Sequence, residues 1–312
     1  MLAYTVRRLW QFIPTLLGVV LFVFFLFNWV GGDPAYLLAG KMPNPEQIEN
    51  IRRQLGIDRP YHVQLWIFLQ QIASADFGSS WATNEKVSDI LATRLGPSLT
   101  VLVPLLVIGT VLAMAAAMLV AYLRGSLTDR AIMIGCTVGQ SISILVYIML
   151  LQYLLAYQLG WFPVQGWGNN PAENLLRYSA LPILVGLIVS LAPDIRLYRG
   201  FFLEEMHQDY VRTARAKGLG EARVMWVHVL RNAAIPIVTN VMIQVPGLLA
   251  GAFLIERFFS IPGIGREVIM AVERSDFPVL KAVTIYVAVA TMAANLAADL
   301  LYKAFDPRVE LE

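Results

Sequence analysis

The chain has 312 residues; 57% are hydrophobic, 15% are charged, and the formal charge is +2 at neutral pH. Soluble globular proteins carry about 45–50% apolar and about 25% charged residues. The imbalance excludes a water-solvated enzyme, a disordered chain and a free nucleic-acid binder, and indicates a polytopic membrane protein. The one cysteine, Cys136, leaves no internal disulfide to staple a secreted scaffold.

A membrane helix needs about 20 mostly apolar residues to cross roughly 30 Å of hydrocarbon. The first such stretch, residues 9–30, is uncharged and follows Arg7-Arg8. It is longer than the about 7–15 apolar residues of a signal peptide. Asn28-Trp29-Val30-Gly31-Gly32 is also a poor cleavage site, so the stretch is expected to remain as a helix. Residues 31–94 then form an outer segment, in which 45–74 read as two short amphipathic helices split at Arg59-Pro60. Ile48, Ile51 and Leu55 share one helical face; Leu65, Phe68, Leu69 and Ile72 share another. Such a pair is either a cap on the membrane surface or a docking platform for an external partner, and periodicity alone favours the cap. Residues 95–123 and 131–159 are again uncharged. Residues 178–193 are short before Asp194 intervenes, with apolar character resuming to residue 203. Residues 232–255 are uncharged, and residues 282–298 lie between Lys281 and Asp299. Pro14, Pro104 and Pro246 fall inside spans and predict kinks. The expectation is an all-α polytopic membrane protein with six transmembrane helices. Residues 1–94 hold the first transmembrane helix and a periplasmic amphipathic segment, and residues 95–312 hold a five-helix core.

Basic residues of short loops set orientation. Arg7, Arg8, Arg124, Arg130, Arg196, Arg199, Arg212, Arg215, Lys217, Arg223, Arg231, Lys303 and Arg308 fall on one side, with both termini; that side is expected to be the cytoplasm. The loop between spans five and six carries Arg257, Arg266, Arg274 and Lys281 on the opposite side, so the bias is not one-sided.

The segment between spans four and five is polar. A helix over residues 208–217 ends at Gly218, the usual left-handed stop, and Glu221 opens a second helix towards span five. This is either an ordinary basic juxtamembrane loop or a docking element. Ala214 and Ala216 beside a glycine turn favour close approach by another protein, and the interspersed acids weigh against a lipid-binding patch. At membrane depth, Gln140, Ser141, Ser143, Asn240, Gln244 and Asn295 are candidates for lining a translocation pathway; joining helix to helix is the competing role. Asp194, Arg196, Arg199 and Asp299 are candidate gate or interhelical pairs, with snorkelling to the interface as the alternative. No phosphate-binding loop, nucleophile elbow or H-E-x-x-H motif is present, and His62, His207 and His228 are spaced too irregularly for a shared metal site. The chain is therefore expected to be non-enzymatic, with no cofactor.

Asp209-Tyr-Val-Arg-Thr-Ala-Arg-Ala-Lys-Gly-Leu219, followed by His228-Val-Leu-Arg-Asn-Ala-Ala-Ile-Pro236, resembles the EAA loop of permease subunits in ATP-binding-cassette importers of the dipeptide/oligopeptide/nickel branch. Phe259-Ser-Ile-Pro-Gly-Ile-Gly-Arg266, Arg274-Ser-Asp-Phe-Pro278, Asn295-Leu-Ala-Ala-Asp-Leu-Leu-Tyr302 and Asp306-Pro-Arg308 continue the likeness. Gly32-Asp-Pro-Ala35 and Leu55-Gly-Ile-Asp-Arg-Pro60 extend it towards the N-terminus. The chain departs from the wider family in reading Arg212, Thr213 and Ala214 where Glu-Ala-Ala is usual, and Ala75-Asp76 where the branch has Gly-Asp; residues 166–177 match no pattern. The resemblance implies a type I importer permease in a bacterial inner membrane. Its partners would be a second homologous permease subunit, two ATPase subunits or domains and an external solute-binding protein. It assigns ATPase coupling to Asp209, Tyr210, Thr213, Ala214, Ala216, Lys217, Gly218 and Leu219, and implies di- or oligopeptides as cargo. Nickel chelates, oligosaccharides or another small polar solute are the alternatives. A secondary carrier, the rival class, predicts inverted repeats and mid-membrane acids.

Overall fold

The computed structural model describes residues 2–30, 33–39, 44–250 and 252–305; side chains at 2–6, 8–9, 30, 37, 248–250 and 298–305 are outside the description. Two motifs of the sequence, Gly32-Asp33 and Asp306-Pro-Arg308, therefore lie partly or wholly outside the described residues. Helix α1 (Leu2–Phe25) contains Pro14 and runs on through a π-helical turn at Leu26–Val30. A short α2 (Pro34–Leu38) leads to α3 (Pro45–Leu55) and α4 (Tyr61–Ala73). Asn44 caps α3 by accepting from Glu46 N–H, Pro45 occupies its first helical position, and Gly56 ends it with a left-handed φ of 66°. The expected break at Arg59-Pro60 thus separates two helices, and each buries a residue of its apolar face, Ile48 and Phe68.

Helix α5 (Val87–Tyr122) begins ahead of the apolar run at residue 95. Its first turns are polar and held by tertiary contacts: Arg94 pairs with Glu267 at 3.2 Å. The division expected between residues 94 and 95 falls inside this one helix. The third span expected over residues 131–159 is broken. Helices α6 (Leu127–Ser141) and α7 (Ile144–Leu151), the latter extended by a π-helical Gln152–Gln158, meet at 94°. Ile142 is extended, the Ser143 side chain caps α7 by accepting from Leu145 N–H, and the Tyr147 hydroxyl donates to Gly139 O at 3.0 Å. Capping at both sides of the bend satisfies backbone groups that a break in lipid would orphan.

After α8 (Pro171–Glu173) and a π-helical turn at Asn174–Tyr178, α9 (Ala180–Met206) continues without interruption through Pro193 and Asp194. Helix α10 (Asp209–Ala216) and α11 (Glu221–Arg223) follow, then a π-helical Val224–Val229 and α12 (Leu230–Ala250). The fifth span expected over residues 232–255 stops with α12; a separate α13 (Phe253–Phe258) begins beyond it. Helices α14 (Ile264–Glu273) and α15 (Phe277–Phe305) complete the described chain. Among the described residues five helices are long and apolar enough to cross a membrane, or six spans if the bent α6–α7 pair counts as one. Among the described residues no strand forms; one isolated bridge joins Ser79 to Lys86.

The bundle is centred on α5 and α9. Gly109, Ala113, Ala117 and Ala121 are buried at four-residue spacing along α5, which lets α9 approach closely. On α9, a Cβ at Gly186 would stand 2.7 Å from the Leu105 side chain. Tyr198 and Phe202 fill the space beside the alanines.

Candidate functional site

Helix α9 delivers the chain to one face of the bundle, where α10 lies beneath the ends of α5, α9 and α12. The α3–α4 pair lies at the opposite face, because α5 starts near the one and ends near the other. Arg124, just past α5, meets His207, just past α9, at 2.8 Å. The Arg199 Nη2 donates to Asp129 Oδ2 at 2.8 Å, and that oxygen also accepts from Gly125 N at 2.9 Å. The turn between α5 and α6 is thereby fixed to α9.

Helix α10 is amphipathic. Val211 is 0% and Ala214 5% exposed, packed with Ala117, Ala121, Tyr198, Phe202, Val229 and Ala233. Asp209, Arg212, Thr213 and Ala216, at i, i+3, i+4 and i+7, are exposed and form the opposite face. Tyr210 lies on the inward side, and its hydroxyl donates to Glu205. Burial, then the Glu205 hydrogen bond, pushes the Tyr210 hydroxyl up to about 12, so it stays a donor over the working pH range. Asp209 sits in the first turn, where a carboxylate complements the helix dipole. The helix ends at Lys217, and Gly218 takes a φ of 79° with open space around its Cβ position. Glycine is needed there for its conformation and not for room. Across this turn Arg215 grips Glu221 with two hydrogen bonds, of 2.7 and 3.2 Å, which set the angle between α10 and α11. Leu219 is half-buried against the same core.

The eight residues expected to face an ATPase thus divide. Asp209, Thr213, Ala216, Lys217 and Gly218 are exposed, whereas Tyr210, Ala214 and Leu219 key α10 into its own bundle. The close approach that Ala214 permits is to the chain's own core.

Some of the polar residues within the spans form a seam along α9, linking it to α6 at one point and to α12 at another. Arg196 Nη1 donates to Gln140 Oε1 at 2.9 Å, and Asn240 Nδ2 donates to the Tyr198 hydroxyl at 3.2 Å. Gln244 is the polar neighbour of half-buried Asp194. Ser141 donates to Thr137 O, and Ser143 is spent on capping α7, so both are satisfied locally. Asn295 is exposed on α15, and Asp299 lies where side chains are outside the description. Asp194, Arg196 and Arg199 do not pair with one another: Arg199 takes Asp129, a residue that sequence reading passed over because it resembles an ordinary first-turn acid.

At the opposite face two buried carboxyl groups bolt the fold together, and both were missed from sequence. Glu256 is 0% exposed and accepts from Ser98 Oγ at 2.8 Å, Ala252 N at 3.0 Å and Arg266 N at 3.0 Å. Ser98 in turn accepts from Ile264 N at 2.9 Å. Asp276 accepts from Ser80 Oγ and from Trp81 N at 3.1 Å. In the sequence both look like ordinary loop charges, because their donors Ser98 and Ser80 lie 158 and 196 positions away; the Pro262-Gly263-Ile264-Gly265 turn beside Glu256 was the available signal.

A bundle of apolar helices with an amphipathic helix keyed beneath it defines an all-α polytopic membrane protein. The chain belongs to the family of binding-protein-dependent transport system inner membrane components, whose profile matches residues 109–311; the N-terminal profile of such membrane components matches residues 1–102. It is 35% identical over 309 residues to the glutathione transport system permease protein GsiC of Escherichia coli (strain K12), covering 99% of both chains. The proteins of that name from Shigella boydii serotype 4 (strain Sb227) and Salmonella typhi are equally similar, at 35% identity and 99% coverage of each. The chain is thus a multi-pass inner-membrane permease of an ATP-binding-cassette importer, of the peptide-transport type, which works with a solute-binding protein and ATPase partners.

Proposed function

We propose that this chain forms half of a translocation pathway for glutathione or similar short peptides, paired with a second homologous permease above two ATPase domains. The α10 face lies in the cytoplasm with both termini, and the chain itself carries out no catalysis: ATP is hydrolysed on the partners. The observation that carries the reading is the two-sided character of α10. Its outer face of Asp209, Arg212, Thr213 and Ala216 is free to enter a cleft on another protein. Its inner face, Val211 and Ala214, is packed against α5, α9 and α12. A displacement of α10 by ATPase closure is therefore passed to three spans at once, since packed interiors shift as units. The cargo reading is supported by the glutathione-permease relatives, and the polar seam of Gln140, Arg196, Asp194, Gln244 and Asn240 offers charge and amide groups suited to a zwitterionic peptide.

Reconstitution of the full transporter in liposomes tests this. The variant Ala216→Trp is expected to leave the permease folded and to abolish co-purification of the ATPase and glutathione uptake together. Normal uptake by that variant overturns the coupling role of α10. Stimulation of ATP hydrolysis by a binding protein loaded with another solute, and not by any loaded with short peptides, overturns the cargo reading alone.

A further inference from the structure

A cavity of about 810 Å³ opens on the α3–α4 face, between the end of α1, the start of α15 and the two amphipathic helices. Its apolar wall is built from Phe24, Phe27, Phe68 and Phe277. Of its acids, Asp33 is paired with Arg52 and Glu49 with Arg53 at 3.6 Å, while Asp58 is exposed to solvent. Two lining donors withdrawn at least in part from solvent have no acceptor among the described residues. Lys281 projects towards the Phe68 and Phe27 rings, its Nζ 5.4 and 6.0 Å from their centroids, and makes no ion pair among the described residues. Ring faces attract the ammonium charge but leave its N–H donors without an oxygen. The Asn28 Nδ2 is buried with no hydrogen-bond partner. A cavity that holds an unpaired cation and an orphaned amide beside aromatic rings fits an anion attached to an apolar body.

The depth of the site selects the source of that anion. Lys281 stands one turn into the span Phe277–Ala297, and Asn28 stands near the end of the span Trp10–Trp29. Both therefore lie where hydrocarbon gives way to headgroups. We propose that this cavity binds the phosphodiester of an anionic phospholipid, with Lys281 and Asn28 as its donors and the phenyl rings against the start of the acyl chains. The site is separate from α10 and from the polar seam, and it would pin α1 and the amphipathic pair to α15.

Native mass spectrometry of the full-length chain, released from detergent after titration with phosphatidylglycerol or phosphatidylcholine, tests the proposal. The unsubstituted protein is expected to retain one phosphatidylglycerol with about tenfold preference over phosphatidylcholine, whose choline ammonium brings a second positive charge close to Lys281. Lys281→Met, which suits the apolar wall, is expected to lose the preference, and Lys281→Arg to keep it. Asn28→Leu retains the charge and removes a donor that the phosphodiester of either lipid would use, so it is expected to weaken retention of both and decides the matter if Lys281→Met cannot be purified. An undiminished preference in Lys281→Met, or undiminished lipid retention in Asn28→Leu, overturns the site. Full displacement of the lipid by millimolar inorganic phosphate overturns the lipid source and makes the cavity a receptor for soluble anions.

Discussion

Replacing Glu256 tests whether a buried acceptor, and not apolar packing alone, holds the α3–α4 face. Its carboxyl group satisfies three donors, Ser98 Oγ, Ala252 N and Arg266 N, while no cation pairs with it among the described residues. Glu256→Gln keeps the shape. With its carbonyl in the position facing Ser98 and Ala252, its amide NH2 meets the Arg266 N–H donor to donor. One buried donor is then orphaned, at a cost of about 1–3 kcal/mol. Glu256→Ala orphans all three and leaves a cavity, for roughly 3–7 kcal/mol in total, allowing for partial relaxation. The two substitutions should therefore differ by a factor of two or more in their effect. Thermal unfolding of the detergent-solubilised chain measures this, with Ser98→Ala as a control that removes one bond to Glu256 and the acceptor for Ile264 N. Equal stability of Glu256→Ala and the parent, or a larger loss for Gln than for Ala, would refute the account of Glu256 as the acceptor that fixes the turn.

Gly218→Ala meets no steric obstacle but must hold a left-handed backbone, at about 1–2 kcal/mol. It should loosen the α10–α11 angle, and uptake is expected to fall while the chain still inserts, as read by transport assay against membrane abundance. Tyr210→Phe removes a hydroxyl whose folded-state pKa is raised to about 12. A raised acid contributes stability below the unfolded value, about 10 for tyrosine, that is lost as pH climbs to the folded one. The variant should therefore flatten the decline in stability between pH 10 and 12, measured by unfolding at stepped pH. The ion pair of Arg199 with Asp129 is largely withdrawn from solvent, at 21% and 7% side-chain exposure. Removing one partner should cost about 3–5 kcal/mol, and a double replacement by apolar residues clearly less than the sum, in a double-mutant cycle of thermal stability.

The spans and the helix–turn–helix were legible because each rests on local rules: length and absence of charge for the first, a glycine stop and an acid start for the second. Asn44-Pro45 and Gly56 mark the ends of α3 in the sequence itself. The bend between α6 and α7 was not legible, because residues 131–159 carry neither proline nor charge. Gln140-Ser141-Ile142-Ser143 breaks the helix through side-chain capping, and uncharged serines pass unnoticed in a hydropathy reading. The partner of Arg199 was hidden for another reason: Asp129 lies 70 positions away, and only tertiary packing brings the two together. Ala214 shows the same limit in reverse. Its small side chain signals close approach, yet sequence does not say to which body.

Helix α5 joins the two faces of the molecule. At one end its alanines receive Val211 and Ala214 of α10 along with Tyr198 and Phe202 of α9. At the other, Ser98 is bound to Glu256 and to the backbone of Ile264. With 36 residues, α5 reaches about 54 Å, longer than the hydrocarbon core, so it protrudes into both aqueous layers. In the proposed mechanism a push on α10 is therefore carried along one continuous helix, through Pro97 and Pro104, to a far end bolted to the α13–α14 turn. The α6–α7 pair offers no such continuous path, since its 94° bend divides it into two pieces. In the proposed mechanism α5 thus carries a movement of α10 to the opposite face, and the bent pair does not.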